Sequence, residues 1–186
     1  MNTNKILMGL VLPAIIGASA AFAQQPTLDK LKFSIYNGRY AYAMAADNNT
    51  SGAVVIPPTY NGLPVTRVAL FGGRKGITSV ILPNSLTEID QNAFVSCTGI
   101  KSITIPASVT KIGSAFDTCT NLTSVTFEGG AATLSSYANA RVKAFPGDLD
   151  TKYQAGGAGT YTRSAGSNTW TKQGGAAVCP TCGRPM

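Results

Sequence analysis

The sequence contains no histidine, and only 12% of its residues are charged. Without an imidazole there is no Ser-His-Asp or Cys-His nucleophile and no zinc site with a histidine ligand. Asp and Glu together number 8 against 15 Lys and Arg, so a carboxylate acid/base pair has few candidates. Nucleophile elbows, phosphate loops and complete metal-ligand sets are also missing. The net charge of +7 is spread along the chain with no Lys/Arg run. That argues against a nucleic-acid footprint and fits loose attraction to anionic envelope surfaces. After residue 23 no segment is apolar enough to cross a membrane. A hydrophobic fraction of 44% still suffices for a packed domain, so the chain reads as one domain with a small appendage. These absences point to a binding or structural protein and away from an enzyme.

What is present begins with an address. Lys5 precedes the uncharged run ILMGLVLPAIIGASAAFA, from Ile6 to Ala23, which ends in Ala21-Phe22-Ala23 before Gln24. A basic start, an apolar centre and small residues at the exit describe a secretory signal peptide over 1–23. An uncleaved anchor is the rival reading, but Gly9, Pro13 and Gly17 favour cleavage. No cysteine follows the cleavage site, so a lipoprotein anchor is not expected. Export places the mature chain at the cell surface, in the periplasm or outside the cell.

The chain then repeats itself. Val80 to Ser102 reads VILPNSLTEIDQNAFVSCTGIKS, and Ile103 to Ser124 reads ITIPASVTKIGSAFDTCTNLTS. Val54 to Ser79 is a degenerate copy, and a fourth copy starts at Val125-Thr126-Phe127 before dissolving into GGAATLSSYANARVKAF. At each junction sits L-x-x-L-x-L: Ile77, Val80 and Leu82, then Ile100, Ile103 and Ile105, then Leu122, Val125 and Phe127. One such unit cannot bury its apolar face alone, whereas stacked units bury it against one another. The period predicts a β-dominated leucine-rich-repeat solenoid, a short right-handed coil of about three to four repeats with β-hairpin caps at both ends.

Stacking turns each repeated position into a column. Leu82, Ile105 and Phe127 form one ladder, Val68, Ile89 and Ile112 another, and Phe71, Phe94 and Phe116 a third, which Ala144-Phe145 could extend. Arg67, Glu88 and Lys111 also fall in one column, with alternating sign at strand spacing. The plainer reading of that triplet is coil registration, and a binding role is the sharper one.

The string over 103–126, I-P-x-S-V-T-x-I-G-x-x-A-F-x-x-C-T-x-L-T-S-V-T, resembles the BspA-like leucine-rich-repeat family of bacterial surface antigens, less one residue between Gly113 and Ala115. The phrase V-I-P-x-x-Y-N-G-x-P-V-T from Val55 to Thr66 is similar to the family's amino-terminal lead-in. The resemblance implies an exported or surface protein acting in adhesion to host proteins or other bacteria.

Both ends need covers. Residues 32–45, KFSIYNGRYAYAMA, predict a hairpin turning at Asn37-Gly38. Residues 159–173, GTYTRSAGSNTWTKQ, predict a second hairpin with Tyr161 facing Trp170. An exposed sugar platform of Tyr153, Tyr161 and Trp170 is the functional rival there. The expected organisation is a signal peptide (1–23), an amino-terminal cap (24–53), repeats (54–128), a carboxy-terminal cap with a partial repeat (129–173) and a tail (174–186).

The tail holds Cys179-Pro180-Thr181-Cys182, one half of a zinc knuckle. A disulfide loop, a zinc site completed by a second copy, a redox pair and an inert tail all remain open. Cys97 and Cys119 share a repeat column, as small buried filler or as a disulfide between coils.

The candidate ligand surface is the concave strand face, whose outward positions are Ser79, Ile81, Ser102, Thr104, Ser124 and Thr126, with Pro83 and Pro106 beyond. It is rich in hydroxyls and lacks aromatic or Arg anchors. The expected partner is a protein or glycan on a host or neighbouring cell. The chain reads as a monomer, with a dimer through the tail as the structural alternative.

Overall fold

The computed structural model describes residues 28–130, 132–134 and 143–174. The signal segment and the Cys179/Cys182 tail lie outside these residues. The elements are β1 (Leu31–Tyr36), β2 (Tyr40–Ala45), β3 (Gly52–Val55), β4 (Thr59–Tyr60), β5 (Leu63–Ala69), β6 (Ile77–Ile81) and β7 (Glu88–Ile89). There follow β8 (Ser102–Ile105), β9 (Lys111–Ile112), β10 (Ser124–Phe127), β11 (Thr133–Leu134), α1 (Leu149–Gly156), β12 (Gly159–Thr162) and β13 (Thr171–Lys172).

Each repeat contributes one strand to each of two walls, and about four turns stack. One wall is a sheet in the order β1-β2-β5-β7-β9-β11, with β4 on the side of β5. Along it the ladder expected from the sequence is in register: Val68 beside Ile89, Ile89 beside Ile112, and Ile112 beside Leu134. The fourth turn therefore continues to Leu134, past the point where the repeat ceases to be readable. The other wall is split into β3-β6 and β13-β12-β10-β8.

Between the walls runs the phenylalanine ladder. Phe71 stacks on Phe94 at 5.0 Å, Phe94 on Phe116 at 5.3 Å, and Phe116 on Phe145 at 5.0 Å, with interplanar angles of 18°, 9° and 8°. All four rings are fully buried. Coils approach closely enough to require glycine at Gly99, where a Cβ would come within 2.4 Å of the Lys75 and Ile77 carbonyl oxygens.

The amino-terminal cap is the expected hairpin. β1 and β2 pair antiparallel from Leu31–Ala45 to Tyr36–Tyr40. Asn37 (φ 49°) and Gly38 (φ 63°) both take the left-handed conformation that such a turn demands. β2 then runs parallel to β5, so the hairpin presents the first coil with a mock repeat strand.

The carboxy-terminal cap differs from expectation in two ways. First, β12 pairs with β13 as a hairpin, but Tyr161 lies opposite Lys172 and not Trp170. Second, the helix α1, which no apolar periodicity announced, packs against the last coil through Leu149 and Tyr153. Tyr153, Tyr161 and Trp170, by contrast, follow the cap reading: they are buried at 3%, 1% and 1% exposure and form no sugar platform. They plug the open end of the core instead: Tyr153 stacks on Phe127 at 4.0 Å and Tyr161 meets Phe127 edge-on at 5.9 Å. Because β12 runs antiparallel to β10, it also ends the parallel stacking of that wall.

A candidate binding face

The strands β8 and β10 alternate strictly, and β6 does so from Ser79 to Ile81, because one wall face meets the core and the other meets water. Val80, Ile103, Ile105, Val125 and Phe127 point inward and are buried. The predicted outward residues fall together on the other side. Ser102 pairs with Ser124 and Thr104 with Thr126 in register. Ser102, Thr104 and Ile81 are exposed, while Ser79, Ser124 and Thr126 are half-buried. The row continues onto the cap, where Thr162 stands opposite Ser124 and Thr160 opposite Thr126. The Thr126 and Thr160 hydroxyls are 2.9 Å apart, and the Gln173 amide donates to Thr162 at 2.6 Å. Sequence reasoning missed Thr160 and Thr162, although T-Y-T repeats the S-V-T and S-I-T pattern of the coils.

Between β6 and β8 the wall is not laddered. One step on, the Glu128 N–H donates to the Ile105 carbonyl at 3.0 Å. The corresponding residue a coil earlier is Pro106, which has no N–H to offer. At this seam a hollow of about 370 Å³ opens, lined by Ser79, Ile81, Asn84, Ser102, Thr104 and Glu128 over Val80, Leu82, Ile103 and Pro106. Four of the six predicted residues border it, and Ser124 and Thr126 lie one strand away.

The charged column stands on the opposite wall. Arg67 sits beside Glu88 and Glu88 beside Lys111, with ion pairs of 3.3 and 2.8 Å. Asp90, which the sequence reading did not include, takes the main contact: Arg67 donates to it through both Nε and Nη2. Partial burial opposes the Arg67 charge, but the hydrogen bond and charge of Asp90, helped by Glu88, outweigh it and hold the guanidinium above its ordinary pKa.

Cys97 and Cys119 are buried free thiols, so the disulfide considered between them is not formed. Each S–H points to the preceding coil, Cys97 to the Phe71 carbonyl at 3.0 Å and Cys119 to the Phe94 carbonyl at 3.1 Å. That gives each sulfur a backbone acceptor in the coil before it. Burial pushes both thiols up, Cys119 to about 12. Among the described residues no group of three or more His, Cys, Asp or Glu could hold a metal ion. Nor is any described helix long and apolar enough to cross a membrane.

Residues 62–144 match the BspA type leucine rich repeat region in six copies. No curated protein matches the chain. Two solved structures are similar. One is a T. pallidum leucine-rich repeat protein, 22% identical over 53% of this chain and 58% of that one, with a TM-score of 0.41. The other is a leucine-rich repeat protein from Bacteroides ovatus ATCC 8483, 27% identical over 53% of this chain and 28% of that one, with a TM-score of 0.47. The chain thus spans little more than half of the first and under a third of the second.

Proposed function

We propose that this chain, a BspA-type leucine-rich-repeat protein across residues 62–144, is an exported, non-catalytic binding module that attaches to a protein ligand at the cell surface. Repeat scaffolds of this kind act chiefly by presenting a regular surface, and the repeats here leave one wall free to do so. The observation that carries the reading is the seam between β6 and β8. There Ser79, Ser102, Thr104 and Asn84 surround an apolar floor open to solvent. Small hydroxyl side chains beside an exposed Ile81 lose little conformational entropy on binding and can satisfy peptide N–H and C=O groups. Without aromatic or Arg anchors in the seam, each contact is weak, and attachment would rely on many copies on one surface.

Two linked measurements test this. Protease added to intact cells should degrade the protein without prior rupture of the envelope. A Ser102→Arg/Thr104→Arg variant, folded by its circular dichroism and melting curve, should abolish attachment of expressing cells to a protein-coated surface. Protection of the protein on intact cells, or undiminished attachment by the variant, overturns the reading.

A further inference from the structure

The strand β2, Tyr40-Ala41-Tyr42-Ala43-Met44-Ala45, inverts the usual order of burial. Its alanines face the core and are buried, while Tyr40, Tyr42 and Met44 face outward. A cap that only needed apolar cover would turn its large side chains the other way. On β1, Tyr36 lies directly across from Tyr40 and is 50% exposed. The three tyrosines form one outward cluster, with ring centroids 5.5 Å (Tyr36–Tyr40), 5.6 Å (Tyr40–Tyr42) and 6.2 Å (Tyr36–Tyr42) apart.

This cluster is continuous with the charged column. The Arg67 guanidinium lies 4.8 Å from the centre of the Tyr42 ring and donates to its hydroxyl at 2.9 Å. Beyond it a hollow of about 310 Å³ is lined by Arg67, Glu88, Asp90, Gln91, Lys111 and Ser114. The Ser114 hydroxyl is buried there, at 1% exposure, with no hydrogen-bond partner among the described residues. From β1 to β9 the surface extends over four strand spacings, about 19 Å. It carries the aromatic and Arg side chains that the hydroxyl-bearing wall lacks.

We propose that this outer face is a second binding surface and that its ligand is a neutral glycan. Tyr36 and Tyr40 supply ring faces for the C–H faces of sugars, a weak contact that adds up over several rings. Two cations and two carboxylates cancel in charge and place donors beside acceptors. A polyhydroxyl ligand, in which every hydroxyl both donates and accepts, fits that arrangement. An anionic ligand would meet Glu88 and Asp90, and a cationic one Arg67 and Lys111. Lys111, which is 56% exposed and paired with Glu88, and the exposed Gln91 amide provide donors at the rim. Ser114 provides an unmet hydroxyl at the floor.

The test uses the full chain on an array of neutral and acidic glycans and in native gels cast with xylan, galactomannan or hydroxyethylcellulose. Binding to neutral glycans is expected, with a loss of roughly tenfold or more in Tyr36→Ala/Tyr40→Ala. Tyr36→Phe/Tyr40→Phe should retain most of the binding, since it keeps the rings. Ser102→Arg/Thr104→Arg should leave it unchanged, which separates this surface from the protein-binding wall. Tyr36→Ala alone, at the outer end of the hairpin, replaces the double variant if that variant does not melt like wild type. The proposal is overturned if no neutral glycan binds in either assay, if only acidic glycans bind, or if the loss follows Ser102→Arg/Thr104→Arg. A protein ligand captured through these tyrosines while the array stays blank overturns it as well.

Discussion

Phe116 stacks on Phe145 at 5.0 Å and 8°, as closely as any neighbours in the ladder, although the chain between them is longer than one regular repeat. Two backbone N–H groups explain how that last ring is held. Ala144 and Phe145 donate to the Asp150 carboxylate at 2.8 and 3.1 Å, which ties the ladder to the first turn of α1. Burial pushes the Asp150 carboxyl up, against those two bonds, which favour its charged form. The ladder is thus closed by a contact from outside the repeat.

Phe94 stands inside that ladder, with a ring on either side. Phe94→Ala should cost about 3–5 kcal/mol, which is enough to unfold the array or nearly so. Chemical denaturation is the measurement. A midpoint close to wild type would show that the stacked rings do not hold the coils together.

Leu70 is 63% exposed and sits at φ 60°, a conformation that an L-side chain disfavours. Its side chain gives up little burial if removed. Leu70→Gly should therefore raise stability, by about 1 kcal/mol, and raise the melting temperature. A lower melting temperature would mean that the exposed leucine makes contacts that outweigh the strain.

Cys97 and Cys119 should resist alkylation in the folded protein at pH 8, because a thiol held above its ordinary value presents little thiolate. Mass mapping after iodoacetamide treatment, with and without denaturant, reads this directly. The same shifts set an alkaline limit. The folded values lie above the unfolded value of 9.0, so the stabilisation is complete below pH 9 and drains away as pH rises toward 12 for Cys119. Cys119→Ala should flatten that alkaline slope in melting curves taken from pH 8 to pH 11.

Arg163 fastens the carboxy-terminal cap. Its guanidinium donates to the carbonyls of Leu122 at 2.7 Å, Cys119 at 3.2 Å, Thr120 at 3.1 Å and Ser167 at 2.5 Å, and lies 4.9 Å from the centre of the Trp170 ring. Arg163→Ala removes all four bonds, although the Cys119 and Thr120 carbonyls keep the Leu122 and Gly166 N–H donors, and should cost about 2–4 kcal/mol. Arg163→Lys should recover little, since one ammonium cannot span the fork. Hydrogen exchange should show opening localised to residues 159–173. Full protection there in Arg163→Ala would remove Arg163 from this role.

The sequence by itself determined the coil. In a stacked array each residue meets its own equivalents, so the ladders of Val68, of Phe71 and of Arg67 were legible from the period alone, and the Asn37-Gly38 turn was legible from its dipeptide. Of the predicted binding row, its alternation was legible, because a strand with one wet face has period two. The tertiary structure decided the contacts that do not repeat. The seam between β6 and β8, where their wall breaks into two sheets, is one of them. The burial of Trp170, the register of Tyr161 against Lys172, the rescue of Phe145 by Asp150 and the outward turn of Tyr40 and Tyr42 follow from how the caps dock on the end coils. Such contacts join segments that are not equivalent, and no periodicity records them.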